Sequence, residues 1–276
     1  MELGCLGRWT AEELGLPRPA TVRCLLSLSS GELALGSDYG MVLLRQGHFL
    51  PFPFPAGARR EMRRVESLAE HEGVLHVATA RGSFAWPFQG EAAGRGLPRD
   101  GQDGFDDLRA LHAAPWGLLR GWRTHLEGAE GPPECIAFAS LGSRVFAGTL
   151  DGRVVELFYR GPSLELGRFE REGRGRPVRY LAGQHEQLWA ACDGQHLRWD
   201  GATWRRDERA GGAVEPYGYA VEPGRLWALA RGGLWLSDGG WLEPVVVDLI
   251  RPWALVVHGG DLFVGCKGGL VRLRAG

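Results

Sequence analysis

The feature that most constrains this chain is a unit that returns seven times. Its sharpest copy, "RLWALARGGLWLSDGGW" (225–241), reads as an apolar strand, a Gly turn, a second apolar strand and a further Gly turn. The same order appears in "GELALGSDYGMVLL" (31–44), "GVLHVATARGSFAW" (73–86), "SRVFAGTLDGRVVEL" (143–157), "EQLWAACDGQHLRW" (186–199) and "GDLFVGCKGGLVRL" (260–273). A weaker copy is "APWGLLRGWRTHLE" (114–127). Anchoring on Leu33, Leu75, Leu118, Val145, Leu188, Leu226 and Leu262 gives steps of 42, 43, 27, 43, 38 and 36 residues. Most of these approach the forty or so residues that one four-stranded propeller blade occupies.

An apolar stretch suited to an innermost strand precedes each anchor, as in "VRCLLSL" (22–28), "VESLAEH" (65–71) and "VRYLAGQ" (178–184). After most anchors a second Gly turn leads to an outer strand, such as "GATWRR" (201–206). The expectation is an all-β chain: a single domain over 1–276, folded as a seven-bladed β-propeller. Six blades plus a degenerate one is the alternative. The short step predicts a stunted third blade, because "GAEGPPE" (128–134) runs directly into the next inner strand. The last blade ends at "GLVRLRAG" without an outer strand. Residues of about 5–10 are expected to supply it, closing the last blade with the amino-terminal strand and leaving no long unpaired edge. "REMRRVESLAEH" (60–71) has a helical alternative, but its alignment with the other inner strands favours strand from Val65. "TAEELGL" (10–16) has room for one helical turn.

Composition agrees. Forty-three glycines and 16 prolines, spread evenly, fit turns between many short strands. The net charge of −1 gives the whole molecule no field for a polyanion, which argues against nucleic acid as partner. The five cysteines are dispersed without a CxxC pair, and no leader pattern or membrane-length apolar run is read. A cytoplasmic protein with reduced thiols is the expectation.

The strand–turn–strand "LWALARGGLWLSDGG" resembles the repeats of two-component-regulator and ligand-sensor β-propellers, in which an L-W-x-G-T strand turns through Gly into a G-L-x-x-x strand. Here Trp227, Trp189, Phe146 and Phe263 occupy the aromatic slot, and Ser37, Thr79, Thr149, Cys192 and Cys266 the Thr slot. The family's usual export signal and kinase region are not found, so periplasmic sensing does not carry over. A looser likeness, in size and form, is to small cytoplasmic propellers beside MoxR-type ATPases and von Willebrand A-domain proteins in bacterial conflict systems.

In a propeller, the turns joining second to third strands share a face with the blade-to-blade connections. Those turns carry Asp38, Tyr39, Arg81, Arg120, Trp122, Asp151, Asp193, Arg231 and Lys267, a ring of mixed charge with two aromatics. Rim charges and aromatic anchors suit a protein surface. Phe52 and Phe54, between prolines in "FLPFPFPAG" (49–57), are a candidate docking knob. His71, His112, His185 and His258 recur at first hairpins, where they read as solvated turn residues too far apart to share a metal. Cys192 lacks a partner base, and Asp151–Gly152 and Asp193–Gly194 read as tight turns rather than catalytic acids. No catalytic set, metal or cofactor is expected. The leading function is a non-enzymatic protein–protein interaction scaffold in a bacterial multi-protein system of conflict or defence type. The alternatives are a small-molecule or saccharide sensor using Trp122 and Tyr39, and a propeller lyase or hydrolase.

Overall fold

Alternating apolar positions on either side of Gly turns fold the chain into consecutive antiparallel hairpins. The computed structural model describes residues 3–52, 63–79, 82–87, 108–114, 117–122, 134–160, 163–171, 176–184, 186–192, 194–206, 216–230, 233–245 and 248–275. Among them lie seven separate antiparallel sheets. The chain divides into two compact units: residues 4–113 with 253–276, and residues 1–3 with 114–252.

In the first unit, β1 (Leu3–Thr10) is followed by a sheet of β2 (Val22–Ser27), β3 (Leu33–Ser37), β4 (Gly40–Arg45) and β5 (His48–Pro51) in sequence order. The next sheet is β6 (Val65–His71), β7 (Val74–Thr79) and β8 (Gly82–Pro87). The boundary to the second unit falls within the hairpin of β9 (Leu108–Ala114) and β10 (Gly117–Trp122). That sheet has two described strands, where the short step predicts a stunted blade; residues 123–133 are not described. The second unit holds three four-stranded sheets in sequence order. The first is β11 (Cys135–Leu141), β12 (Arg144–Thr149), β13 (Val154–Arg160) and β14 (Ser163–Arg171). The second is β15 (Val178–Gln184), β16 (Gln187–Cys192), β17 (Gln195–Trp199) and β18 (Trp204–Arg206). The third is β19 (Pro216–Glu222), β20 (Arg225–Ala230), β21 (Gly233–Ser237) and β22 (Glu243–Val245). The last sheet joins both chain ends: β23 (Pro252–His258), β24 (Asp261–Cys266) and β25 (Gly269–Ala275) follow in sequence order, and β1 pairs on the far side of β25. The amino-terminal strand therefore completes the last sheet, as its sequence implies. Val65–His71 is strand throughout, and residues 11–15 form a turn in which the Leu14 N–H donates to Thr10 O.

One detail repeats in five sheets. The first residue of the first strand pairs with the Thr-slot residue, and then one residue is skipped. Val22 faces Ser37 and Cys24 faces Gly36; Val65 faces Thr79 and Ser67 faces Ala78. Cys135, Val178 and Pro216 begin the same irregularity. The skipped residues, Arg23, Glu66, Ile136, Arg179 and Tyr217, sit on β-bulges, which locally re-aim side chains. The Thr slot has its own reason. Ser37 Oγ donates to Gly40 O (2.8 Å) and accepts from the Tyr39 N–H, closing the following turn. Thr149 Oγ1 likewise accepts from a turn amide, the Arg153 N–H (2.8 Å).

A small residue precedes the slot because the next sheet abuts it. A Cβ on Gly36 would lie 2.5 Å from Val65 Cγ1, and one on Gly148 would lie 2.6 Å from Val178 Cγ1. On Gly265 it would lie 2.7 Å from Val22 Cγ1, so the last sheet packs on the first as the first packs on the second. Between sheets the aromatic slot is filled and sealed: Trp189, Phe146, Trp227 and Phe263 are buried. The tryptophans of the repeat are core residues.

Candidate functional site

Four of the five bulges, at Arg23, Glu66, Arg179 and Tyr217, place a polar residue where a first strand begins, beside the turns that join second to third strands. We call this the entry end of each sheet. The two features share an end because they are bonded: the Asp38 N–H donates to Thr21 O (3.2 Å), and Leu150 N–H to Glu134 O (2.8 Å).

In the unit of residues 4–113 and 253–276, Arg23 organises a cluster at this end. Its Nη1 donates to Asp38 Oδ1 at 3.1 Å, its Nη2 lies 3.7 Å from Glu66 Oε2, and its guanidinium carbon lies 5.3 Å from the Trp253 ring centre. Arg64 Nε lies 2.6 Å from the other Glu66 oxygen. The Glu66 side chain is only 8% exposed, whereas that of Arg64 is 41% exposed and Trp253 is 38% exposed. The neighbouring Cys24 thiol is pushed up to about 12, first by burial and then by the Glu66 charge, so it stays protonated. Lys267 is exposed on the turn between β24 and β25. That turn is fixed from both sides: the Gly268 N–H donates to Ala20 O and its carbonyl accepts from the Ala11 N–H, each at 2.8 Å. Lys267 itself bridges to Thr21. Arg8 lies close enough for its charge to act on Cys266, whose thiol burial nevertheless pushes up to about 11.

In the other unit the bulges carry Ile136, an exposed Arg179 and Tyr217. Asp151 is committed locally: Arg153 Nη2 lies 2.6 Å away and Thr149 Oγ1 donates to it. Burial pushes its carboxyl up, but those bonds and the Arg153 charge hold it below the usual value.

The rim residues read from the sequence thus separate. Asp38 belongs to the cluster, Lys267 lies on a turn at the same end, bridged to Thr21, and Asp151 caps its own turn. Tyr39 is half-buried against the core made by Ala11, Leu14, Leu33 and Phe263. Phe52, expected on an exposed knob, instead packs on the core of Leu28, Ala34, Met41 and Val65, with its N–H donating to Met41 O. Burial of the ring between sheets outweighs the stiffness of the flanking prolines. Arg120 and Trp122 lie on β10, their side chains outside the described residues. Arg81, Asp193, Arg231 and Phe54 lie outside them too. Of the recurring histidines, His185 lies outside the described residues, and the other three belong to strands. His71 and His258 end first strands, and His112 lies within one. Burial lowers His112 to about 4. His258 Nδ1 lies 2.9 Å from Ser27 Oγ.

Sequence reasoning sought the surface in the turns and passed over Arg23, Glu66 and Trp253. Their signal was present: "VRCLL", "VESLA" and "PWALV" each place a charged or aromatic residue second in an otherwise apolar strand.

The chain matches no protein-family model and no curated protein. Among solved structures it is similar to the extracellular domain of BT4673 from B. thetaiotaomicron, described as a hybrid two-component system. The TM-score is 0.72 at 15% identity, over 92% of this chain and 38% of that one. The chain therefore spans about two-fifths of the length of that extracellular domain. It is also similar to YCF48 bound to D1 peptide (TM-score 0.73, 13% identity, 98% and 95% covered). A third neighbour is virginiamycin B lyase from Staphylococcus aureus with quinupristin (TM-score 0.74, 8% identity, 99% and 100% covered). Together with the sheet order, these likenesses show a β-propeller fold.

Proposed function

We propose that this chain is a non-enzymatic propeller that binds another protein through the entry end of its sheets. One observation carries the reading: an exposed indole, Trp253, held against a guanidinium that two carboxylates position. Tryptophan and arginine are the side chains that dominate binding energy at protein interfaces, most of all when neighbours hold them in place. The similarity to YCF48, solved with a bound peptide, supports the same use of the fold. Cys24 and Cys135 are pushed up to about 12, chiefly by burial, so both thiols stay protonated and are poor nucleophiles. We assign the chain to the cytoplasm of a bacterium, as part of a multi-protein system; its five free cysteines support a reducing compartment.

The test is site-specific photo-cross-linking in the host. A photoreactive phenylalanine replaces Trp253 in one strain and Glu72, exposed at the opposite end of β6, in another. A discrete protein adduct from position 253 and not from 72 is expected. Equal labelling at both positions, or none at either, sinks the reading. A small-molecule sensor is the second reading, because the same exposed indole stacks on planar or saccharide ligands. It takes over if a metabolite library raises the melting temperature while position 253 captures no protein.

A further inference from the structure

Resting on the reading of this end as a protein-binding surface, we propose that its occupant is an extended acidic segment of the partner. The segment's carboxylates meet Lys267 and Arg64, and an apolar or aromatic side chain lies on Trp253. The argument begins with which charges face outward. In the Arg64–Glu66 pair the cation is outermost, 41% exposed against 8%. Glu66 lies behind the guanidinium groups of Arg23 and Arg64, while Asp38 is engaged by Arg23, which donates to it. Lys267 adds an exposed ammonium on a turn whose backbone is fixed by Ala11 and Ala20, and Arg63 is exposed beside Arg64. An approaching carboxylate therefore meets donors, and an approaching cation meets like charge. The chain as a whole carries −1, so the attraction belongs to this end and not to the molecule. A phosphate backbone is the poorer occupant. It needs a track of cations neutralising successive phosphates, whereas here Asp38, 27% exposed, interrupts the track and an indole stands beside it.

The probe is a short, N-acetylated, lysine-free peptide of Asp and Glu around a central Phe, followed by fluorescence anisotropy. The peptide binds, and weakens by about tenfold in W253A and in the double variant R64E/K267E. Lys267 is the only lysine of the chain, so carbodiimide activation couples the peptide's carboxylates to its Nζ. K267R keeps the charge and the binding but loses that adduct. Equal affinity for a peptide with Lys and Arg in place of Asp and Glu overturns the proposal. So does tighter binding of oligo-dT, an adduct confined to the amino terminus, or unchanged binding by R64E/K267E with a wild-type melting curve. If position 253 still captures a protein in the host while the acidic peptide does not bind, the surface stands and its acidic partner falls.

Discussion

The two ends of the sheets in the 4–113/253–276 unit put the same side chains to different uses. At the end where first strands turn into second strands, Asp261 is 1% exposed and accepts from Arg272 Nε (2.6 Å), Arg274 Nε (2.5 Å) and Arg274 Nη2 (2.8 Å). Arg45 Nε donates to Glu32 across the hairpin there, and Arg272 lies over Phe263, itself buried. At the entry end, Arg23 bridges two carboxylates at 3.1 and 3.7 Å and lies over an indole that stays exposed. An arginine saturated by a buried acid and covering a buried ring ties strands together. One shared loosely between acids beside an exposed ring leaves its surroundings open to a partner. Charge alone does not distinguish the two ends; saturation and the exposure of the ring do.

The largest effect expected from this contrast is at Asp261. Asp261→Ala removes the acceptor of two arginines from a sealed position, at a cost of about 3 kcal/mol in urea unfolding. Glu66→Gln at the entry end keeps a polar acceptor between Arg23 and Arg64 and costs about 1 kcal/mol. Equal losses from the two would erase the distinction.

Titration sharpens it next. His258 sits below its ordinary value because burial, and then the Arg272 charge, disfavour its protonation against the pull of Asp261. The unfolded chain takes up that proton first, so this stability is present above about pH 6.5 and is lost as pH falls below it. Asp261 is held below its ordinary value chiefly by Arg274, with Arg272 adding to it against the push of burial. Its contribution is present above about pH 4 and is lost as pH falls through the folded value. Melting temperatures measured from pH 8 to pH 3 should therefore fall in two stages. His112, lowered to about 4 by burial, adds to the first stage in the same direction, so His258→Asn should make that stage shallower, and Asp261→Asn should make the second shallower. A wild-type curve that stays level between pH 7 and pH 5 would mean that the His258 site is not part of the scaffold's stability.

How far the sequence foretold this depends on what kind of signal each feature leaves. The sheets were legible because apolar alternation and Gly turns recur at a step that is near forty residues in most repeats, and the closing role of residues of about 5–10 because the last repeat lacked an outer strand. The Thr slot was legible as a small buried position, and the hydroxyl of Ser37 closing its turn gives it a further reason. The cluster was legible only in part. Asp38 and Lys267 occupy turns that any repeat alignment exposes. Arg23, Glu66 and Trp253 lie inside strands, and a bulge changes which neighbours a strand residue meets without leaving a mark in the composition. Phe52 misled because its flanking prolines describe a stiff loop and say nothing about the core beside it.

The smallest expected effect on stability bears hardest on the comparison. Lys267 is exposed on a turn whose fixed geometry comes from backbone bonds of its neighbour Gly268, not from its own side chain. Lys267→Ala should therefore leave unfolding in urea within about 0.5 kcal/mol of wild type. A loss above about 1 kcal/mol would place the ammonium in the scaffold, alongside Arg272 and Arg274, and would remove it from the binding surface. With stability unchanged, the same variant should still weaken an acidic partner, because deleting a rim charge acts on association and its salt dependence. Unchanged folding joined to salt-dependent loss of binding is what separates a surface charge from a structural one, and Lys267 is where the entry end is most exposed to that test.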